Sequence, residues 1–354
     1  MDSINVLSAA EQVAEHLRNE LLRGALSGSL PGAHPLAEEL GVNHKTVKAA
    51  LQMLEKEGLL VGRGAGRRRK IVLPKNHAPP ALRVAVLFYE KGDEAHDLFI
   101  RFQNKLVAAG HTVVHAPKNL TDLGGDTRRL ARIITATAAD AWVVIAGSEE
   151  VLQYFLQRQI PAFAIYGFQS RLRIAGIALN QTPSVVAATR RLITLGHRRI
   201  VMLESLLTLS EPGLPGAAFL NELAAHGIDA GDYNMPGYER GFDGFYKRLE
   251  SLFSHTPPTA IFIYSVVEYF ATTQFLLDRG LRVPRDVSLI CIDMAPYFHR
   301  YQPTISHVRW NDQLMVNRIA RWAKNISLGK EDTRQTRIDT EFVEAGTVGR
   351  APQG

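Results

Sequence analysis

The chain carries a single cysteine, Cys291, in 354 residues. A disulfide framework and a cysteine-based zinc cluster are therefore both excluded. Cys291 stands in the apolar run VSLICID with no activating base beside it, which predicts a small buried thiol. Long apolar runs are missing as well: none approaches the roughly 20 residues that cross a bilayer, so no membrane partner is expected. The N-terminal MDSINVLSAAEQVAEHLRNE places acids early and lacks the basic-then-apolar order of a secretory signal, so a cytoplasmic protein is expected. There is no G-x-S-x-G elbow, no cysteine–histidine context and no paired-carboxylate motif, and neither an enzyme nor a cofactor is expected. His111 and His115 have the spacing of a helix-borne metal site, but HTVVHA reads as a strand, and no metal is expected.

What is present points elsewhere. The length allows two or three compact units, and 46% apolar with 21% charged residues is ordinary for a globular chain. A net charge of +6 favours an anionic partner. Residues 8–73 read as three short helices closed by a hairpin. Ser8 followed by Glu11 makes a capping box, after which Val13, Leu17 and Leu21 share one face until Gly24. Pro35 suits the first position of a second helix, with Leu36 and Leu40 inward and Gly41 as its left-handed stop. Asn43 can cap a third helix, whose stripe of Val47, Ala50, Leu51 and Leu54 runs to Gly58. Opposite that stripe lie Lys45, Lys48, Ala49 and Gln52, with His44 at the edge. Such a face can enter a major groove or simply be solvated.

The neighbouring GRGAGRRRK, residues 62–70, decides between those readings. Arg63, Arg67, Arg68, Arg69 and Lys70 crowd a hairpin too short to neutralise them internally, which suits the minor groove and its flanking phosphates. Neither phosphate-loop pattern is present and no helix follows, so a nucleotide cradle is rejected. Strand alternation predicts that Arg67 and Arg69 share one face. PKNHAPPA, residues 74–81, then reads as a linker. From Leu82 short apolar strands such as RVAVLF, AWVVIAG, PAFAIYG, TAIFIYS and VSLICID alternate with amphipathic helices, the pattern of a doubly wound parallel sheet in two lobes. Polar side chains at strand ends, namely Glu90, Ser148, Tyr166, Glu204, Tyr264, Ser265 and Asp293, are the candidate effector ligands.

LPGAHPLAEELGVNHKTVKAALQMLEKEGLL resembles the GntR-type winged helix-turn-helix. The resemblance implies DNA contacts from Lys45, Thr46 and Lys48 on the recognition helix and from Gly64, Gly66 and Arg67 at the wing. The family's Ser-Arg at the start of that helix is Asn43-His44 here, a titratable ring in place of a permanent cation. LITLGHRRIVMLE and RGLRVPRDVSLICIDMAP resemble the LacI/GalR-type sensor, which implies a periplasmic-binding-protein-like fold, dimerisation and a small-molecule effector, a sugar or related metabolite. Tyr264-Ser265-Val266 stands where that family places a sugar-binding Asn-Asp pair, and the arginine usual before the next helix is missing from LSEPGLPGAAF. The expected fold class is α/β: an N-terminal winged helix-turn-helix (three helices plus a β-hairpin) followed by a two-lobed, doubly wound periplasmic-binding-protein-like domain. The expected domains are 1–74 for DNA binding, a linker at 75–81, and 82–354 for effector binding and dimerisation. Within the last, lobe one covers 82–178 and 305–332 and lobe two covers 179–304 and 333–350. The expected function is a homodimeric regulator, a repressor, of a double-stranded DNA operator, in which an effector biases lobe closure. The alternative is a regulator whose sensor-like domain serves dimerisation or protein docking without an effector.

Overall fold

The computed structural model describes residues 8–23, 26, 29–62, 68–72, 80–167, 169–205, 214–239 and 241–353. The chain divides into two compact units, Met1–Ala178 with Asp312–Thr336, and Leu179–Asn311 with Arg337–Gly354.

The first unit begins with a helical head of α1 (Ala9–Arg23), β1 (Ser29–Leu30), α2 (Ala33–Leu40), α3 (His44–Lys56), β2 (Leu60–Val61) and β3 (Arg69–Ile71). The capping box forms at the start of α1: the Ser8 amide donates to Glu11 Oε2 at 2.7 Å and the Glu11 amide to Ser8 Oγ at 3.3 Å. Helix α2 starts at Ala33, so Pro35 is its third residue; a first-turn amide has no intrahelical acceptor, and proline costs nothing there. Gly41 ends the helix at φ +64°, a conformation that a side chain disfavours. Val13, Leu17, Leu21, Leu36, Val47, Ala50, Leu51 and Leu54 meet in one core. The hairpin has a third strand that the sequence pattern did not announce: β1 pairs antiparallel with β3, Ser29 opposite Lys70 and Leu30 opposite Arg69.

Beyond the head the chain runs through β4 (Arg83–Leu87), α4 (Asp97–Ala108), β5 (Thr112–His115), α5 (Leu120–Leu123), α6 (Thr127–Thr137), β6 (Ala141–Ile145), α7 (Glu149–Gln157), β7 (Ala162–Ile165) and β8 (Ala175–Asn180). It continues with α8 (Thr182–Thr194), β9 (Ile200–Met202), β10 (Glu204–Ser205), α9 (Leu214–Ala225), β11 (Gly237–Tyr238), α10 (Phe242–His255), β12 (Ala260–Ile263), α11 (Val266–Asp278), β13 (Ser288–Cys291) and β14 (Ser306–Arg309). It closes with α12 (Asp312–Ser327), β15 (Gln335–Asp339) and β16 (Glu341–Val343). One sheet has the order β15-β8-β7-β6-β4-β5, and the other β16-β14-β13-β12-β9, with β10 and β11 forming a separate parallel pair. Strands β4 to β8 pair in parallel, and β6 is buried along its whole length, as helices on both faces require. Because β14 pairs with β13, it stays in the second unit, and the return to the first comes at Asp312 rather than at 305.

His111 lies just before β5, where its Nδ1 accepts from the Leu82 amide at 3.1 Å, whereas His115 Nε2 meets Gln103 Oε1 at 2.7 Å. Each ring thus has its own structural partner. Cys291 is buried, and burial, reinforced by the charge of Asp293, raises its thiol well above the ordinary range, so it stays protonated.

His197 is wholly buried in the second unit, with Nδ1 at 2.9 Å from Thr259 Oγ1 and Nε2 at 3.0 Å from the Gly349 carbonyl. That carbonyl only accepts, so it selects the neutral Nε2–H tautomer. Burial lowers the ring's pKa below its ordinary 6.5, partly offset by the Gly349 carbonyl. Burial lowers His111 and His307 in the same direction. The unfolded chain then binds more protons than the folded one, so stability is lost as pH falls below about 6.5. We expect the midpoint of urea unfolding to drop between about pH 7.5 and about pH 5.5, and His197→Gln to flatten that slope. A midpoint that is unchanged, or that rises on acidification, would contradict this account.

Candidate functional site

Helix α3 is positioned by its own ends. Asn43 Oδ1 accepts from the Lys45 amide at 2.9 Å, and the Asn43 carbonyl accepts from Thr46 at 2.9 Å and Val47 at 3.2 Å. With Val47, Ala50, Leu51 and Leu54 fully buried, the other face turns outward: Lys45, Lys48 and Gln52 are exposed, and His44 and Thr46 are half-buried. Lys45, Lys48 and Gln52 therefore line one exposed stripe at helical spacing. Arg18 grips Glu57 just past the end of α3, Nε to Oε2 at 2.8 Å, which ties α1 to that end and holds the Glu57 carboxyl below its ordinary range.

The returning strand divides its cations. Arg69 Nε donates to Glu55 Oε1 at 2.7 Å, so this arginine is committed to α3, where the sequence pattern had placed it among the phosphate contacts. The period of two explains why: Arg69 lies on the same face of β3 as Ile71, which packs on the helical core, and a guanidinium turned inward needs a carboxylate. Arg68 and Lys70 are exposed. Arg63, Gly64, Gly66 and Arg67 lie outside the described residues.

The seven strand-end candidates fall into two groups. Glu90, Ser148 and Tyr166 follow β4, β6 and β7, which are neighbours in the first sheet. Glu90 is exposed, and its amide donates to Asp93 Oδ2 at 3.0 Å, as does that of Tyr89 at 3.1 Å. Burial raises the Asp93 carboxyl despite these bonds; the sequence pattern gave no sign of it. Ser148 caps α7, its Oγ accepting from the Val151 amide at 3.4 Å. Tyr166 sits at φ +60° with its hydroxyl 3.9 Å from Met315 Sδ.

Glu204, Tyr264, Ser265 and Asp293 follow β9, β12 and β13, with β12 in the middle. The Tyr264 hydroxyl is 3.6 Å from Met202 Sδ and is hydrogen-bonded to Glu204. Burial, then the Glu204 charge, raises that phenol well above its ordinary range, so it remains a neutral donor. Ser265 caps α11, accepting from the Val267 amide at 3.2 Å, and Asp293 Oδ1 accepts from the Met294 amide at 2.7 Å. Nearby, the Tyr238 hydroxyl donates to Glu268 Oε1 at 2.7 Å, a pair that no local spacing signals. Among the described residues no three histidine, cysteine, aspartate or glutamate side chains group as metal ligands, and no helix is long and apolar enough to cross a membrane.

The pattern of bacterial regulatory proteins of the gntR family matches residues 9–67, and that of the periplasmic-binding-protein-like domain matches residues 189–348. The chain is 28% identical over 122 residues to the HTH-type transcriptional repressor PurR of Pasteurella multocida, covering 34% of this chain and 36% of that protein. It is 24% identical over 178 residues to the catabolite control protein A of Priestia megaterium, covering 48% and 52%. It thus spans between about a third and about half of the length of these curated relatives. In fold it is similar to a LacI family transcriptional regulator of Enterococcus faecium with bound ribose, at a TM-score of 0.64, 14% identity, and coverage of 76% of this chain and 99% of that one. The chain therefore joins a region of the gntR regulatory pattern to a periplasmic-binding-protein-like domain, with a fold similar to that of a LacI family regulator.

Proposed function

We propose that this protein is a sequence-specific DNA-binding transcriptional regulator, a cytoplasmic homodimer acting as a repressor, and not an enzyme. Its DNA-binding domain is 1–74, its linker 75–81 and its effector-binding and dimerisation domain 82–354. The observation that carries this reading is the exposed stripe of Lys45, Lys48 and Gln52 on a capped helix whose opposite face is wholly buried. Such a helix presents long donors at fixed spacing to base edges, while Arg68 and Lys70 add cations for the phosphates. Effector binding regulates operator affinity only if the effector prefers one conformation of the sensor. Selection from a random double-stranded DNA pool at near-physiological salt is expected to enrich a two-fold symmetric site bound in the nanomolar range or tighter, roughly 10⁻⁸ M or below. Binding of selected and random DNA with equal affinity would refute the assignment.

A second reading, in which the sensor domain docks or dimerises without a small effector, is favoured by one set of observations. Ser148 and Ser265 spend their hydroxyls as helix caps, and Tyr264 is bonded to Glu204 where LacI-type sensors resembled by this chain carry Asn-Asp. Exposed Val267, Leu277, Tyr297 and Tyr301 offer the apolar surface such docking needs. A thermal-shift screen of sugars and related metabolites separates the readings, since a ligand at about 100 times its Kd adds about 2.7 kcal/mol of stability.

A further inference from the structure

His34, exposed on the first turn of α2, stacks on His44, the first residue of α3: their ring centroids are 4.5 Å apart and their planes 8° from parallel. Among the described residues neither ring makes a hydrogen bond or an ion pair, so its nitrogens remain available to a ligand. The charged groups around the pair are mixed. On α2, Glu38 stands one turn beyond His34 and Glu39 follows it; on α3, Lys45 adjoins His44 and Lys48 stands one turn on. Helix α1, packed on α3, carries Glu15, His16 and Glu20, while its Glu11 is engaged with Ser8 and its Arg18 with Glu57. At the far end of α3, Glu55 is taken by Arg69.

We propose that His44, stacked on His34, binds a DNA backbone phosphate beside Lys45 as an imidazolium, so that operator binding takes up a proton from solvent. The inference rests on the DNA-binding reading above. An imidazolium over a neutral imidazole face is attractive, whereas two stacked imidazolium rings repel, so the stack favours one charged ring in the complex over two. A phosphate oxygen stabilises that proton through a charge-assisted N–H···O bond. His44 makes the contact; His34 is a positioning residue, holding the His44 ring by its stack and presenting its ring face to the added charge. The departure from the family's arginine thereby becomes a pH-dependent contact: the head grips the backbone more tightly in acid than in alkali.

The test uses the full-length protein, an operator obtained by the selection above, and fluorescence anisotropy at constant ionic strength with a chelator present. Because the complex holds more protons than the separate partners, Kd rises with pH, by at most about tenfold per pH unit for each linked proton. The wild type is expected to weaken by at least about tenfold between about pH 6 and about pH 8. His44→Arg, which installs a permanent cation, is expected to bind with a profile flatter than the wild type's. His34→Phe keeps the stacking face and is expected to retain the slope, whereas His34→Ala, which removes that face, is expected to bind with a reduced one. A wild-type profile as flat as that of His44→Arg, or an undiminished slope in His34→Ala, overturns the proposal while leaving the DNA-binding reading intact. If neither the wild type nor His44→Arg prefers any selected DNA over random DNA, the DNA-binding reading itself fails, and this proposal with it.

Discussion

Replacing Lys45 and Lys48 together by alanine is expected to weaken operator binding at least about a hundredfold. Each lysine that meets a phosphate or base edge makes a charge-assisted hydrogen bond worth about 1.5–3 kcal/mol, and about 1.4 kcal/mol is a factor of ten. The salt dependence should change with it. Each phosphate contact contributes about 0.9 to the log–log salt slope, so losing two per head flattens it by about two units per half-site. The fold should be untouched, because both side chains are exposed and the core of α3 is made by Val47, Ala50, Leu51 and Leu54. Unfolding free energy within about 0.5 kcal/mol of the wild type would confirm that the loss is one of contact and not of structure. An unchanged salt slope in the double variant would mean that this stripe does not face DNA.

The largest stability effect is expected at Arg318. Its guanidinium is buried with Asp332, at 3.1 Å from Oδ2 and 2.7 Å from Oδ1, and also donates to the Arg334 carbonyl at 2.7 Å. Asn325 Nδ2 adds a bond to Asp332 at 2.8 Å, and the Phe163 ring lies 5.2 Å beneath the guanidinium. The cluster pins α12 to the segment that leads into β15. Arg318→Leu leaves a buried carboxylate without its cation and is expected to cost about 3–5 kcal/mol, whereas Arg318→Leu with Asp332→Leu should recover most of that loss. The pH dependence distinguishes the two proteins. In the wild type, burial pushes the Asp332 carboxyl up, but the bonds from Arg318 and Asn325 outweigh it and hold the group below its ordinary value. Its contribution is therefore present above about pH 4 and lost as pH falls through the lowered value. Without Arg318 the burial effect is opposed only by the Asn325 and Arg334 amides, so the single variant's deficit should shrink on acidification. Urea unfolding of the three proteins at about pH 7 and about pH 4.5 checks both signs.

Much of this architecture was legible in the sequence, because hydrophobic period and capping chemistry act over a few residues. The stripe of α3, the Ser8–Glu11 box and the glycine after α2 follow from local spacing, and the structure places each as expected. The alternation of apolar strands with amphipathic helices likewise announced the parallel sheets. Strands β1 and β11 are not legible there because two residues carry no period. The candidate site was legible in part. Exposure of Lys45, Lys48 and Gln52 follows from the wheel, but the fate of Arg69 depends on Glu55, 14 residues away, and on which face of a short strand meets the core. Ser148 and Ser265 stand at strand ends, and the same position makes them the caps of the next helices.

Local chemistry in the sequence thus established the two kinds of domain, the helix that bears the cationic stripe and the absence of a cysteine framework. Pairings across the chain were left to tertiary structure: Arg69 with Glu55, His34 on His44, Tyr264 with Glu204, Arg318 with Asp332 and His197 with Gly349. Each joins residues from separate segments of the chain, and no period of 2 or 3.6 residues records which side chains meet once those segments pack. A polar group's role is set by the partner that burial forces on it, and that partner is chosen only when the core closes.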